Sequence, residues 1–266
     1  MIRKFNILSA FILVVWAGAK VAAADVPLQP LQELSLQAKD LTPAPPVAMT
    51  NPPVWLSSIA FGFTMTRGNS DTLLLTAKLQ TERKSPYNEW MLGGSGAYGE
   101  DNSVRNYETL NGYIQFNHFF TKRLYGFGRA DGLHDGIKDI QYRFTTSTGL
   151  GYYFVQRTNT TFAVETGPSL VTERQGEVDQ NYAAWRLADR FEYKFNSTAR
   201  IWQKAEIIPQ IDQFDNFIVN AEIGIESAIA KDLSLQVYVQ DNYVNLPAPT
   251  YKHNDVRIVS GISYKF

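Results

Sequence analysis

From Trp55 to Phe266 the sequence alternates apolar and polar residues with a period of two. That period belongs to β-strands that bury one face against something apolar and keep the other polar. In the final stretch Val256, Ile258, Ile262, Tyr264 and Phe266 share one side, while Arg257, Ser263 and Lys265 share the other. Before it, Leu233, Leu235, Val237 and Val239 oppose Ser234, Gln236, Gln240 and Asn242. Phe217, Val219, Ile223 and Ile225 oppose Asn220, Glu222 and Glu226, and Ile140, Tyr142, Phe144, Leu150, Tyr152 and Phe154 oppose Gln141, Arg143, Thr145 and Ser147. Turn residues break the pattern at regular intervals, which predicts about twelve strands. They fall at 55–66, 71–83, 89–99, 105–118, 124–133, 139–154, 159–172, 180–195, 199–212, 216–229, 233–243 and 254–266.

The breaks alternate in kind. "KSPYN", "FTKR", "QRTN", "FNST" and "AKD" are short, whereas "GEDNSV", "LHDGIKD", "ERQGEVD" and "VNLPAPTYKHN" are longer or more acidic. Short turns at one end and longer loops at the other are the layout of an outer-membrane barrel. Alternation alone does not say which face looks inward. Three features turn the apolar face outward, toward lipid. The strands are long enough for a tilted bilayer crossing, which takes about 9–11 residues. Aromatics bracket the short turns as a girdle would: Tyr87 and Trp90, Phe120 and Tyr125, Phe154 and Phe162, Phe195 and Trp202. The strand number is even, and the chain finishes on an amphipathic strand, "ISYKF", whose Tyr264 and Phe266 resemble the assembly signal of bacterial outer-membrane proteins.

A sheet in lipid must leave no backbone edge unpaired, so the last strand is expected to pair with the first. The fold class read from the sequence is therefore all-β, a closed antiparallel transmembrane β-barrel of about 12 strands, over residues 55–266. Three features fit this reading less simply. Asp189 falls on the apolar side beside Leu187 and Phe191, which calls for a bulge or an interfacial position. Pro168 and Pro209 sit inside strands. The third and fifth strands are Gly-rich, and their faces are not readable.

The first residues have the layout expected of a secretory signal peptide. Arg3 and Lys4 precede an apolar run that is short for a membrane helix, and Ala22, Ala23 and Ala24 offer a cleavage site. Residues 1–24 are assigned to it, and 25–54 to a flexible Pro-rich periplasmic segment. The expected location is the outer membrane of a Gram-negative-type bacterium. The 266 residues contain no Cys, which excludes disulfides, thiolate metal sites and Cys nucleophiles. A formal net charge of -1 gives no reason to expect nucleic acid.

"RGNSDT" follows directly on the first strand: Arg67, Gly68, Asn69, Ser70, Asp71 and Thr72. That motif, the "R-x-D" of Arg129 to Asp131 and the closing "SYKF" resemble domain-of-unknown-function family 481, whose members are often labelled salt-induced outer membrane proteins. The resemblance covers roughly residues 55–266. It implies a fold and a place more than an activity.

Catalysis is weighed and not expected. The histidines are His118, His134 and His253, and no Ser lies in a recognisable local arrangement with any of them. An outer-membrane hydrolase would have to be assembled from His134 and the loop acids Asp135, Asp139, Asp179 and Asp215. No cofactor is expected, and no metal-ligand spacing stands out. The informative polar set is the inferred lumen lining: Lys78, Arg129, Asp131, Arg143, Glu165, Arg186, Arg190, Glu192, Arg200, Lys204, Glu206, Glu222, Glu226 and Arg257, with Glu82 and Lys194 beside them.

Barrels of about 8 strands are filled by side chains and those of 16–18 hold water. Long side chains of both signs in an intermediate barrel are expected to plug or narrow it. The function expected is thus an envelope structural or homeostasis protein, with a small-solute, porin-like channel as the alternative. Expected partners are outer-membrane lipids, lipopolysaccharide and the barrel-assembly machinery acting on the C-terminal strand, with a monomeric barrel and no nucleic acid.

Overall fold

The computed structural model describes residues 54–66, 72–247 and 251–266. The expected signal peptide, all but Val54 of the expected Pro-rich segment, and the first-loop motif Arg67, Gly68, Asn69, Ser70 and Asp71 lie outside them.

Twelve strands follow in chain order: β1 (Trp55–Thr66), β2 (Thr72–Lys84), β3 (Asn88–Asp101), β4 (Val104–Phe119), β5 (Leu124–Asp135), β6 (Ile140–Gln156), β7 (Thr160–Gln175), β8 (Val178–Lys194), β9 (Ala199–Pro209), β10 (Phe217–Ala228), β11 (Leu233–Val244) and β12 (Asn254–Lys265). Each pairs antiparallel with its sequence neighbours, and β12 pairs with β1 to close the barrel. Closure runs from Ser58 opposite Lys265 to Gly62 opposite Gly261. Beyond it, Phe266 N–H donates to Ser57 O at 2.9 Å. No sheet edge is left between the first and last strands, as an apolar solvent requires.

The apolar face points out. Phe61, Phe144, Phe154, Leu150, Ile225, Ile258 and Ile262 are all more than half exposed on the outer wall. In water such a belt would be an aggregation surface; around a closed barrel it is the lipid-facing band. Ring pairs sit at the short-turn end, Trp90 with Phe116 (4.7 Å) and Phe154 with Phe162 (5.9 Å). Tyr264 and Phe266 stack at 6.1 Å on the same outer face.

Two of the girdle assignments are corrected. Tyr125 and Trp202 point inward and are 0% and 7% exposed. Their strand parity places them with Phe127 and Arg200, not with the outward rings. Ile140 also turns inward, because a register shift between Ile140 and Tyr142 reverses the parity at the start of β6. Asp189 keeps its outward position with no bulge, in register with Val164 and Ala205. Pro209 ends β9, and Pro168 is outward in β7 opposite Trp185.

Two of the expected long loops are tighter than the sequence suggested, while the chain between β11, ending at Val244, and β12, starting at Asn254, stays long. β3 and β4 are joined by Asn102 and Ser103 alone, with φ of 49° and 62°. Two consecutive left-handed residues match the right-handed strand twist. β7 and β8 likewise run on to Gln175 and from Val178, turning at Gly176, where φ is +59°. At the short-turn end the polar residues cap the turns. Asn196 Oδ1 accepts from the backbone N–H of Thr198 and Ala199, both at 2.8 Å.

In β5 the glycines Gly126, Gly128 and Gly132 take the outward positions, alternating with the inward Tyr125, Phe127, Arg129 and Asp131, whereas Gly93 of β3 and Gly224 of β10 face inward beneath rings. A Cβ on Gly93 would lie 2.4 Å from the Tyr113 ring, and one on Gly224 would lie 2.4 Å from Trp202. Large inward rings fit only because the opposite residue is bare.

Candidate functional site: the charged interior

Strand parity carries one set of side chains into the barrel, and most of its charges meet there. Lys78, Arg129, Asp131, Arg143, Glu165, Arg186, Arg190, Glu192, Arg200, Lys204, Glu206, Glu222, Glu226 and Arg257 all occupy inward register positions. Several bond to side chains of strands that are not their neighbours, and these bonds span the lumen.

Lys78 of β2 donates to both Glu222 oxygens of β10, at 3.1 and 3.0 Å. Glu222 also accepts from Trp202 Nε1 at 2.7 Å and Gln240 Nε2 at 2.6 Å. Arg186 of β8 donates to Glu165 and Glu206, each at 2.9 Å. Glu165 further accepts from Gln115 of β4 (2.8 Å) and from the Tyr125 hydroxyl of β5 (2.9 Å). Arg257 of β12 donates to Gln240 at 2.6 Å and to the Tyr107 hydroxyl of β4.

Arg190 of β8 makes the longest crossing. Its guanidinium donates to the Tyr153 hydroxyl at 2.5 Å and to Met91 Sδ of β3 at 3.1 Å. The Glu89 carboxylate of β3 lies 3.8 Å away. β3 and β8 are five strands apart one way around the barrel and seven the other, so this contact nearly follows a diameter. Beside it Tyr125, Glu89 and Asn117 are 0%, 1% and 0% exposed, which shows tight packing toward the short-turn end. Tyr125, Phe127, Tyr153 and Ala163 form an apolar cluster there.

Toward the long-hairpin end the interior opens into a cavity of about 360 Å³, reached by Lys78, Arg129, Arg190, Lys204, Glu222 and Arg257. The Arg129–Asp131 pair stands in its wall. The residues are two apart on one strand and so share a face, and the guanidinium grips the carboxylate at 2.7 and 2.5 Å. Arg129 also donates to Gln115 at 3.0 Å and lies over the Tyr113 ring at 4.3 Å.

At the short-turn end Arg200 bridges Glu192 and Glu226, each at 2.7 Å, and Lys265 also pairs with Glu226. Arg143 and Glu173 pair at 2.6 Å higher in the wall. Lys204 differs from the rest. Among the described residues no hydrogen bond or ion pair reaches its ammonium, and it stays exposed to the cavity.

The inner lining also contains Glu89, Glu173, Lys265, Tyr107, Gln115 and Gln240, which the sequence list omitted. Parity would have found Glu173, eight residues from Glu165, and Lys265, eight from Arg257. Glu89 is hidden by a strand whose glycines hide the alternation.

Of the hydrolase constellation, His134 and Asp135 are kept on opposite faces. His134 is outward, opposite Leu110, with Nδ1 at the Gln141 carbonyl (3.0 Å). Its neighbour Asp135 is inward, and its carboxyl accepts from the Ile137 and Lys138 backbone N–H, each at 3.0 Å. The side chains of a histidine and an aspartate adjacent on one strand necessarily part to opposite faces.

A family model described as protein of unknown function, DUF481, matches residues 59–266. Among curated proteins none matches. Among solved structures, the NanC porin is 8% identical over 79% of this chain and 100% of its own, with a TM-score of 0.48. The KdgM porin is 9% identical over 80% and 99%, with a TM-score of 0.47. The translocator domain of the autotransporter NalP from Neisseria meningitidis is 10% identical over 97% and 98%, with a TM-score of 0.43.

Proposed function

The chain belongs to the DUF481 family of proteins of unknown function, and from that premise we propose that it is an outer-membrane barrel of the Gram-negative envelope whose lumen is occluded by its own side chains. Its role in this reading is structural, in envelope homeostasis, and whatever passage it offers is narrow. One observation carries the reading: the Arg190 contact with Met91 and Glu89 runs nearly across the diameter beside fully buried neighbours. The Lys78–Glu222 bridge adds a second crossing. The outward apolar band supports the membrane. The exposed aromatic C-terminus, Tyr264 and Phe266, supports recognition by the barrel-assembly machinery.

Solute efflux from proteoliposomes tests the proposal. Vesicles carrying the refolded protein are expected to retain small uncharged sugars about as well as protein-free vesicles. Rapid efflux of those sugars would favour the second reading, a small-solute channel. The observation behind that alternative is the cavity of about 360 Å³ above the Arg190 level.

A further inference from the structure

The cations facing the cavity are not all answered by carboxylates. Lys204 of β9 stands in register with Arg190 of β8 on one side and Glu222 of β10 on the other. Like charges directly opposite on neighbouring strands repel. Glu222 attracts Lys204 through space but makes no hydrogen bond to it, its oxygens accepting instead from Lys78, Trp202 and Gln240. Arg129 and Arg200 add to the repulsion at Lys204.

Arg190 has the Glu89 carboxylate 3.8 Å away, itself 3.0 Å from Lys84 and bonded by Asn117, and its own hydrogen bonds go to weak acceptors. One of its nitrogens donates to a phenol and another to a thioether, and a thioether sulfur is a poor acceptor for a guanidinium. On the far wall Arg257 bonds a Gln amide and a Tyr hydroxyl. The nearby acids are committed elsewhere: Glu165 and Glu206 to Arg186, and Asp131 to Arg129. Two cations with no paired carboxylate, Lys204 and Arg257, and a third, Arg190, whose one carboxylate partner Glu89 stands 3.8 Å off, thus border one open volume of about 360 Å³, within the range of about 300–1,000 Å³ usual for ligand pockets.

We propose that this cavity binds a small anionic solute, one presenting a carboxylate or a phosphate group, between Lys204, Arg190 and Arg257. Lys204 supplies a point charge and up to three donors. The guanidinium of Arg190 offers a planar fork that matches two oxygens of either group. The anion replaces the thioether as acceptor and separates the two repelling cations. This inference rests on the occluded-barrel reading for its enclosed, selective character, but the binding chemistry stands on the residues alone.

The test is calorimetric titration of the full refolded barrel in detergent micelles and low-chloride buffer. Inorganic phosphate and acetate are titrated in separate arms, and potassium as the cation arm. The wild type is expected to bind at least one of the two anions saturably. Lys204→Gln should weaken that binding about tenfold or more, the loss expected for one charge-assisted bond. Lys204→Arg should retain most of it, and Lys122→Gln, on an exposed turn, should change nothing. If Lys204→Gln fails to show heat-modifiable folding, Arg257→Gln replaces it, with the same weakening expected.

No saturable anion binding by the wild type, or unchanged binding in the lumen variant, overturns the proposal. The two readings fail separately. Anion binding in a barrel that conducts large steady currents removes occlusion and keeps the site. A non-conducting barrel that binds neither anion does the reverse.

Discussion

Replacing Glu222 by Gln tests the lumen most sharply, because one carboxylate there serves several donors. Glu222 accepts from Lys78 at 3.0 Å, Trp202 at 2.7 Å and Gln240 at 2.6 Å. The Lys78 and Glu222 side chains are only 15% and 12% exposed. At that separation the gross attraction is about 5 kcal/mol for an effective dielectric of about 20. Desolvation of both groups offsets much of it. The glutamine keeps the shape and can still accept from Trp202. It leaves Lys78 without its counter-charge and turns an amide N–H toward one of the other donors.

Breaking a buried pair from one side costs about 3–5 kcal/mol. The adjoining cavity can keep water near this pair, so the expectation for Glu222→Gln is about 2–4 kcal/mol. Lys78→Met in the same chain should return at least about 1 kcal/mol of that loss, since the stranded charge is gone. Urea unfolding in lipid vesicles, followed by tryptophan fluorescence and by heat-modifiable gel migration, measures the cycle. A Glu222→Gln variant within about 0.5 kcal/mol of wild type, with additive single effects, would refute the reasoning. It would mean that the bridge is screened by a water-filled lumen.

Four further outcomes follow from the same geometry. Leu75→Arg, on the lipid face, should destabilise bilayer folding by about 2–4 kcal/mol if it sits near the midplane; a harmless Leu75→Arg in vesicle unfolding would mean that the faces are reversed. Asp189→Leu should stabilise the barrel by about 1 kcal/mol in the same assay, because it removes an outward carboxyl, and a loss of stability would contradict the lipid-facing assignment. Gly224→Ala should cost about 1–3 kcal/mol, since its Cβ would meet Trp202 at 2.4 Å and Tyr238 at 2.6 Å; unfolding within error of wild type would contradict that packing. Deleting Phe266 should slow membrane assembly in cells more than refolding in vitro, and equal effects in pulse-chase and refolding experiments would count against recognition of the C-terminal strand.

Much of the barrel was legible because a two-residue period survives almost any tertiary context once one face must be apolar. Lys78, Glu222, Arg257 and the other lumen charges could be assigned to the interior by parity alone. Parity failed where the backbone departs from it. Ile140 reversed its face at a register shift that no residue type announces. Tyr125 and Trp202 look like girdle aromatics by their nearness to short turns, yet they pack inward over glycines of the adjacent strands.

The long-hairpin end misled because polar residues tolerant of left-handed backbone, such as Asn102, suit a loop and a tight turn equally. What the sequence could not supply was the pairing across the lumen. That Lys78 meets Glu222 and Arg190 meets Met91 depends on barrel curvature and strand number, not on local pattern.

The central claim is that the lumen is closed by its own side chains, and single-channel recording of the refolded wild-type protein in a planar bilayer tests it most directly. The occluded barrel should show no steady open level approaching that of a sixteen-stranded porin recorded in the same cell, and Arg190→Ala should raise whatever conductance there is. Long-lived, porin-sized current steps in the wild type, unchanged by Arg190→Ala, would contradict it.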